Sequence, residues 1–447
     1  MPPELPDSSF PLYTDFRMHV CFMMAGLPHY FTLVLNKLAT DYSIEVSIIK
    51  PNKRSKSIGS GVHEETGNNR FQILDLEEYT TWYGKPFFKD IQSVLLEKKP
   101  DLLVVSWPYI LHFAMSRSFW QWTRRQEIRL IYRDIPFNVP EWGKVREFYY
   151  GVGNQNEDFS LTRKKTLSGY LNTLALTLMR RIYMHRADAH VYYVDDAYQI
   201  AGSYGIPREK IFITANSPDT DELLAAFEQV QREEPVLPPN PYRLIHVGRL
   251  VKWKRVDLII ETVKRLQTSY PDIELLVVGY GPEEENWKKL AVDEGVESRV
   301  KFVGGVYDSV SLGRFLHASA IYVLGGMGGL SINDAMCFAK PVVCSVADGT
   351  EKRLVREGYN GGYFENGNAD SLTEKIDNLL ADPQRVKTFG EHSLQIIRNE
   401  VNIHTVLKEY VRAFEYVVGI KIRTTPKSPE GDLDAANPDA KSPLQGI

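Results

Sequence analysis

The sequence predicts an α/β protein made of two consecutive doubly wound, Rossmann-like domains with a cleft between them. Three observations carry this expectation. Short β-branched runs alternate with longer amphipathic stretches, the mark of βαβ units on a parallel sheet. Pro235, Pro238, Pro239 and Pro241 then crowd into one short segment and interrupt the pattern. After that break the alternation restarts, and a chain of 447 residues suits more than one core.

In the first half, apolar runs predict strands at Met18–Met23, 44–49, Leu102–Ser106, 129–132 and 190–193. Helical periodicity falls between them, at 28–40, 87–98, 161–186 and 195–204. In the second half the expected strands are Arg243–Val247, Glu274–Val278, 300–303, Ile321–Leu324 and 341–345. Helices are expected at 256–269, 283–294, Ser309–His317 and 330–338, with 371–381, 383–400 and 404–418 closing the chain. The expected division is a first domain at 1–234, a linker at 235–243 and a second domain at 244–403. A helix at 404–420 would pack back on the first domain, and a polar tail at 424–447 would be disordered.

With 53 Lys and Arg against 57 Asp and Glu, the net charge of −4 gives no general attraction to nucleic acid. Any anionic ligand needs local positive charge. Cys21, Cys337 and Cys344 are too few, and odd in number, for a disulfide framework, which fits a reducing compartment. The first sixteen residues lack a basic region followed by an apolar core, and no apolar run is long enough to span a bilayer. A cytoplasmic protein is expected. Two basic stretches, Lys50, Lys53, Arg54 and Lys56, and Arg180, Arg181 and Arg186, add peripheral membrane contact as an expectation. In the second stretch, Leu174, Leu178 and Ile182 are expected to face the core while the arginines cover its edge.

The candidate chemistry lies at strand-to-helix turns, where doubly wound sheets bind ligands. Gly248, Arg249 and Lys254 follow the strand Arg243–Val247; a guanidinium fork and a mobile ammonium there suit phosphate oxygens. The same basic residues also read as a solvated helix start. Gly325, Gly326, Gly328 and Gly329 precede Leu330 after the next candidate strand, Ile321–Leu324. They read as a phosphate cradle or as a tight turn. Asp334, one helical turn on, is placed to accept sugar hydroxyls or to balance the helix dipole. Gly279-Tyr280-Gly281-Pro282 lacks the third glycine of a dinucleotide fingerprint. The triplets Asp219-Thr220-Asp221 and Asp432-Leu433-Asp434 are read as incidental, no Cys/His set has zinc spacing, and no bound metal or other cofactor is expected.

Taken in order, Gly248-Arg249, Lys254, Asp257, Val278 to Pro282, Val303-Gly304, Gly329-Leu330, Asp334-Ala335-Met336 and Lys340 to Val343 resemble the family 4 retaining glycosyltransferases. Asn216-Ser217-Pro218-Asp219 and Gly358-Tyr359-Asn360-Gly361 are similar to two further segments of that family, so the likeness covers roughly residues 185 to 382. The resemblance implies a GT-B fold, with acceptor on the first domain and nucleotide sugar on the second. It implies donor binding by Gly248, Arg249, Lys254, Gly281, Val303, Gly326, Gly328, Gly329, Leu330 and Asp334. One departure stands out. The family carries two glutamates eight positions apart, and here those positions are Gly326 and Asp334.

The first domain resembles the family loosely. Met24 to His29 stands at the position of a glycine-rich acceptor loop, which makes Gly26 and His29 acceptor candidates. Arg133 and Asp134 fall near a position where many members place a histidine, so Arg133 joins the acceptor set and Asp134 the catalytic one. Trp107, Tyr109 and Trp142 read as acceptor-stacking rings or as core. The implied reaction moves a hexose-type sugar, with retention and without metal, from a nucleotide-diphosphate sugar, a UDP-sugar foremost, to a glycan or lipid-linked glycan. Arg249 and Lys254 would neutralise the leaving diphosphate. The alternatives are a catalytically idle homologue acting as a binding or regulatory subunit, which Gly326 favours, and a nucleotide-sugar epimerase.

Overall fold

The computed structural model describes residues 17–53, 69–136, 139–151, 165–238, 240–347 and 349–424. The first half opens with β1 (Met18–Met23), α1 (His29–Asp41), β2 (Ile44–Pro51) and β3 (Gln72–Leu76). A small hairpin, β4 (Glu78–Thr80) and β5 (Pro86–Phe88), leads into α2 (Ile91–Lys98) and β6 (Leu102–Ser106). Then come α3 (Ile110–Met115), α4 (Arg117–Arg125), β7 (Arg129–Asp134), α5 (Val145–Tyr150) and the long α6 (Leu167–Arg186). The half ends with β8 (Ala189–Tyr192), α7 (Asp196–Ser203), β9 (Ile211–Ile213) and α8 (Thr220–Val230).

The second half runs β10 (Arg243–Val247), α9 (Val256–Leu266), β11 (Glu274–Val278), α10 (Glu284–Asp293) and β12 (Val300–Gly304). It continues with α11 (Ser309–His317), β13 (Ile321–Leu324), α12 (Ser331–Cys337), β14 (Val342–Cys344), α13 (Glu351–Leu354) and β15 (Gly361–Tyr363). Three helices finish it: α14 (Ala369–Leu380), α15 (Pro383–Asn399) and α16 (Ile403–Val418).

Two parallel sheets result, ordered β3-β2-β1-β6-β7-β8-β9 and β12-β11-β10-β13-β14-β15. The chain reverses direction across each sheet, at β1/β6 in the first and β10/β13 in the second. These are the switch points at which open α/β sheets leave a crevice beyond their carboxyl ends. The α/β class and the two Rossmann-like domains expected from the sequence are present. Central strands are buried on both faces, which is why they read as unbroken apolar runs.

Packing crosses the proline-rich segment in both directions. Leu223, Ala226, Phe227 and Val230 of α8 join the core of the second sheet with Phe338 and Leu316, so this helix leaves the domain in which a boundary at residue 234 had placed it. The reason is the stripe that α8 presents, which finds its partners on α11 and α12. Conversely, Ile403, Val406, Tyr410 and Phe414 of α16 lie in the core of the first sheet with Val20, Phe22 and Phe31. The connection thus passes between domains twice, at 214–219 and at 400–402. There the Ile403 amide donates to Thr220 Oγ1 (3.1 Å), and Asp221 Oδ1 pairs with His404 Nε2 at 2.8 Å.

One helix departs from expectation. In α6, Leu178 and Ile182 are exposed rather than facing the core, together with Leu167 and Leu171. Thr177, Tyr183 and Met184 are the residues that α6 buries. Of the basic stretch in the first half, Lys50 pairs with Asp75, while Arg54 and Lys56 lie outside the described residues, as do Asp432, Asp434 and the tail from 425.

Candidate active site

The loops leaving β10, β11, β12 and β13 press against one another at the carboxyl edge of the second sheet. The Gly248 amide donates to Val278 O (2.9 Å), Leu250 N to Tyr280 O (2.9 Å), and Gly279 N to Gly304 O (2.8 Å). A Cβ on Gly279 or Gly281 would overlap the backbone of Gly248 or Leu250. Gly281 therefore serves the packing of loop on loop, and Val303 precedes Gly304, the last residue of a strand held in that stack.

The β10 turn meets the glycine loop in the same way. Met327 N donates to Trp253 O (2.9 Å), and a Cβ on Gly326 would overlap that same carbonyl oxygen. Any side chain at position 326 requires the two backbones to part, so this loop conformation has no room for a glutamate. Lys254 is buried, and its Nζ donates to the carbonyl oxygens of Met327 (2.9 Å) and Gly328 (2.8 Å), tying turn and loop together. Arg249 is half-buried on the same turn, its guanidinium 5.9 Å from the Trp253 ring centre. Gly329 lies against Lys254 Nζ, and Leu330 caps the start of α12.

Asp334 projects from the first turn of α12. No donor among the described residues reaches its carboxylate, and burial pushes its carboxyl up to about 7. A partnerless acid in a recess is a group prepared for a ligand donor. Sequence reasoning missed a role for three residues at this edge, His246, Tyr280 and Tyr307. His246 on β10 is buried neutral beneath Gly248, its Nδ1 meeting Val323 O at 3.1 Å; burial and the nearby Lys254 push it down to about 3. Tyr280 and Tyr307 stand exposed beyond β11 and β12 with ring centres 6.4 Å apart. An exposed aromatic pair at a strand-end rim was the signal available for them.

The candidates on the first sheet behave differently. Gly26 is buried just after β1, and His29 opens α1, its side chain outside the described residues. Arg133 is buried: its Nε donates to Tyr410 OH (2.8 Å), and its guanidinium lies 4.1 Å from the Phe31 ring centre and 4.8 Å from that of Tyr193. That makes it a bolt joining β7, α1 and α16 rather than a group presented to an acceptor. Asp134 ends β7, where it accepts from Tyr132 OH and from the Ile135 amide (2.9 Å). Burial raises its carboxyl above the ordinary range, opposed by Tyr132 and Arg180. Tyr109 is core, donating to Glu78 (2.5 Å), and Trp142 packs on Tyr204. Asp219 caps α8, which leaves the first Asp-x-Asp triplet occupied structurally.

Segments following the two carboxyl edges touch. Arg353 of α13 forks onto Asp195 (2.5 and 2.7 Å), Lys352 pairs with Asp196 at 2.7 Å, and Asn333 Nδ2 reaches Asn216 O at 3.4 Å. The two edges therefore face each other across the cleft.

Comparison with known proteins bears on the fold and on the second half of the chain. Residues 227–395 match the family model described as glycosyl transferases group 1. An uncharacterized glycosyltransferase of Methanocaldococcus jannaschii is 34% identical over 184 residues, 40% of this chain and 46% of that protein. The chain spans about half the length of the curated relatives it matches, with 46%, 47% and 58% covered in three of them. Among solved structures, Anabaena HepE in complex with UDP aligns with a TM-score of 0.62 at 16% identity, covering 89% of this chain and 99% of that one. A sucrose-phosphate synthase of Thermosynechococcus elongatus gives 0.62 at 14% identity over 90% and 100%. The chain thus has the GT-B fold, and its residues 227–395 are similar to the glycosyl transferases group 1 family.

Proposed function

We propose that the protein is a glycosyltransferase that moves a sugar from a nucleotide-diphosphate donor, a UDP-sugar foremost, to a glycan or lipid-linked glycan, with retention at the anomeric carbon. The observation that carries this reading is the convergence, at one switch point, of the Arg249–Lys254 turn, the 325–330 loop and the partnerless Asp334.

The chemical task is to let a diphosphate depart while the sugar ring becomes positive. Arg249 and Lys254 would balance the charge growing on the departing phosphate, and the amides of residues 328–330 would add fixed dipoles. These side chains would do what a divalent cation does in other transferases, so no metal enters the proposal. Asp334 would accept ribose hydroxyls, and Tyr280 with Tyr307 would flank the nucleotide. The bound UDP of HepE favours uridine as the base. Asp134, at the carboxyl end of β7, would be the catalytic candidate on the first sheet; in this role it would act through its carboxylate after parting from Tyr132.

Thermal shift against UDP-, GDP- and ADP-sugars without metal tests the donor site. One nucleotide sugar should stabilise the wild type and lose that effect in Arg249→Ala. No shift with any of them overturns the reading. A second reading, a donor-binding subunit without turnover, is favoured by the closed space at Gly326. Donor stabilisation without sugar release or transfer across an acceptor panel would select it.

A further inference from the structure

Helix α6 is apolar on both faces, one packed on the first-domain core through Tyr183 and Met184 and the other turned outward. Leu167, Leu171, Ala175, Leu178 and Ile182 are all exposed, Leu167 at 69% and Leu171 at 53%. With 3.6 residues per turn these five fall within an arc of roughly 80°, a stripe about 22 Å long. Thr177, Tyr183 and Met184 are buried away from the stripe. An apolar stripe of this length turned to solvent marks a partner surface.

The charge around the stripe says what kind. The helix contains no acidic residue in its 20 positions. Lys165 is held at its start by the carbonyl oxygens of Tyr150 (2.5 Å) and Gly151 (3.5 Å). Exposed Arg181 and half-buried Arg186 stand at its end, where Arg186 lies 5.1 Å from the Trp120 ring centre of α4; exposed Arg117 opens that helix. The whole chain is negative, at −4, so this positive rim is local. A second copy seated stripe to stripe would set Lys165 and Arg181 against their own kind with no acid on the helix to meet them. Anionic headgroups meet them directly.

An exposed indole lies on the hairpin that abuts the neighbouring helix α3. Trp82, 82% exposed, sits on the turn of the β4–β5 hairpin. Tyr83 beside it meets His112 of α3 at 2.9 Å, and α3 packs on α6. Indole rings favour the boundary between headgroups and acyl chains.

We infer that the outward face of α6 docks on an anionic lipid surface. The helix lies in the plane of the headgroups, its leucines and Ile182 inserted, with Lys165 and Arg181 against lipid phosphates. No helix among the described residues is long and apolar enough to cross a membrane, so the contact is one of lying on, not spanning. The inference makes no use of the cleft and stands independently of the transferase reading.

The test uses the full chain and vesicles of phosphatidylcholine, with or without roughly one-third phosphatidylglycerol. The wild type should sediment with the anionic vesicles and weaken its binding as salt rises. Leu171→Glu with Leu178→Glu should lower partitioning by roughly tenfold or more at unchanged Tm, both sites being exposed. In a separate arm, Leu171→Cys carries a bimane label; the natural cysteines are buried and stay unlabelled. Its emission should shift to the blue on adding anionic vesicles. Absence of sedimentation, equal sedimentation of the double variant, or an unmoved label overturns the inference. So does a dimer that the double variant dissolves without any response to vesicles, which would make the occupant a second copy. A label already blue-shifted in buffer overturns it as well, because another part of the chain would then cover the helix.

Discussion

Asp334 holds its carboxyl at about 7 through burial alone, with no donor among the described residues to offset the loss of water. The native state therefore binds more protons than the unfolded chain between the ordinary carboxylate range and about 7. Stability falls as pH rises through that window and levels above it. Asp334→Asn removes the titration, so the variant should melt about 2–4 °C above wild type at pH 8 and match it near pH 4. The same variant should bind nucleotide sugar more weakly, which separates a ligand group from a packing group. Lys254→Ala should lower the transfer rate on the order of 10²-fold, read from kcat, as loss of one preorganised donor does. Gly326→Glu forces the loop away from Trp253 O and should destabilise by about 1–3 kcal/mol in urea, with no gain in turnover.

At the scale of elements, Phe414 shows what α16 does for the first domain. Its ring meets Phe22 at 6.4 Å and Tyr410 at 6.0 Å between centres, fully buried. Phe414→Ala should cost about 3–5 kcal/mol, seen as an earlier urea transition of the first domain. Central strands such as β1 and β6 were legible in the sequence because burial on both faces writes an unbroken apolar run. The edge strands β3 and β9 were not, since edge positions are partly polar or very short. Nor was β15, whose Gly361-Gly362-Tyr363 has little strand character of its own and forms by pairing with β14. Periodicity predicted α6 as a helix but not its orientation, because a stripe says which residues share a face and not what that face meets. The second-sheet site was legible as turns after strands. That Arg133 is a packing bolt was not, because its partner Tyr410 lies 277 positions away.

At the scale of the whole molecule, the domains touch through half-exposed ion pairs at Arg353–Asp195 and Lys352–Asp196. Such pairs contribute up to about 1 kcal/mol each and are screened by salt. Arg353→Ala with Lys352→Ala should leave Tm within about 2–4 °C of wild type while small-angle scattering shows a wider particle.

The double passage of the chain, at 214–219 and again at 400–402, has a mechanical consequence. A single tether would let one body swivel about a point in any direction. Two tethers, one leading into α8 and the other into α16, act like the two pins of a door: they define a line, and low-cost motion is a swing about it. Because α8 and α16 are each embedded in the opposite body, the pins are set in solid material at both ends. Such a swing brings the same loops face to face at every closure, without a search over orientations.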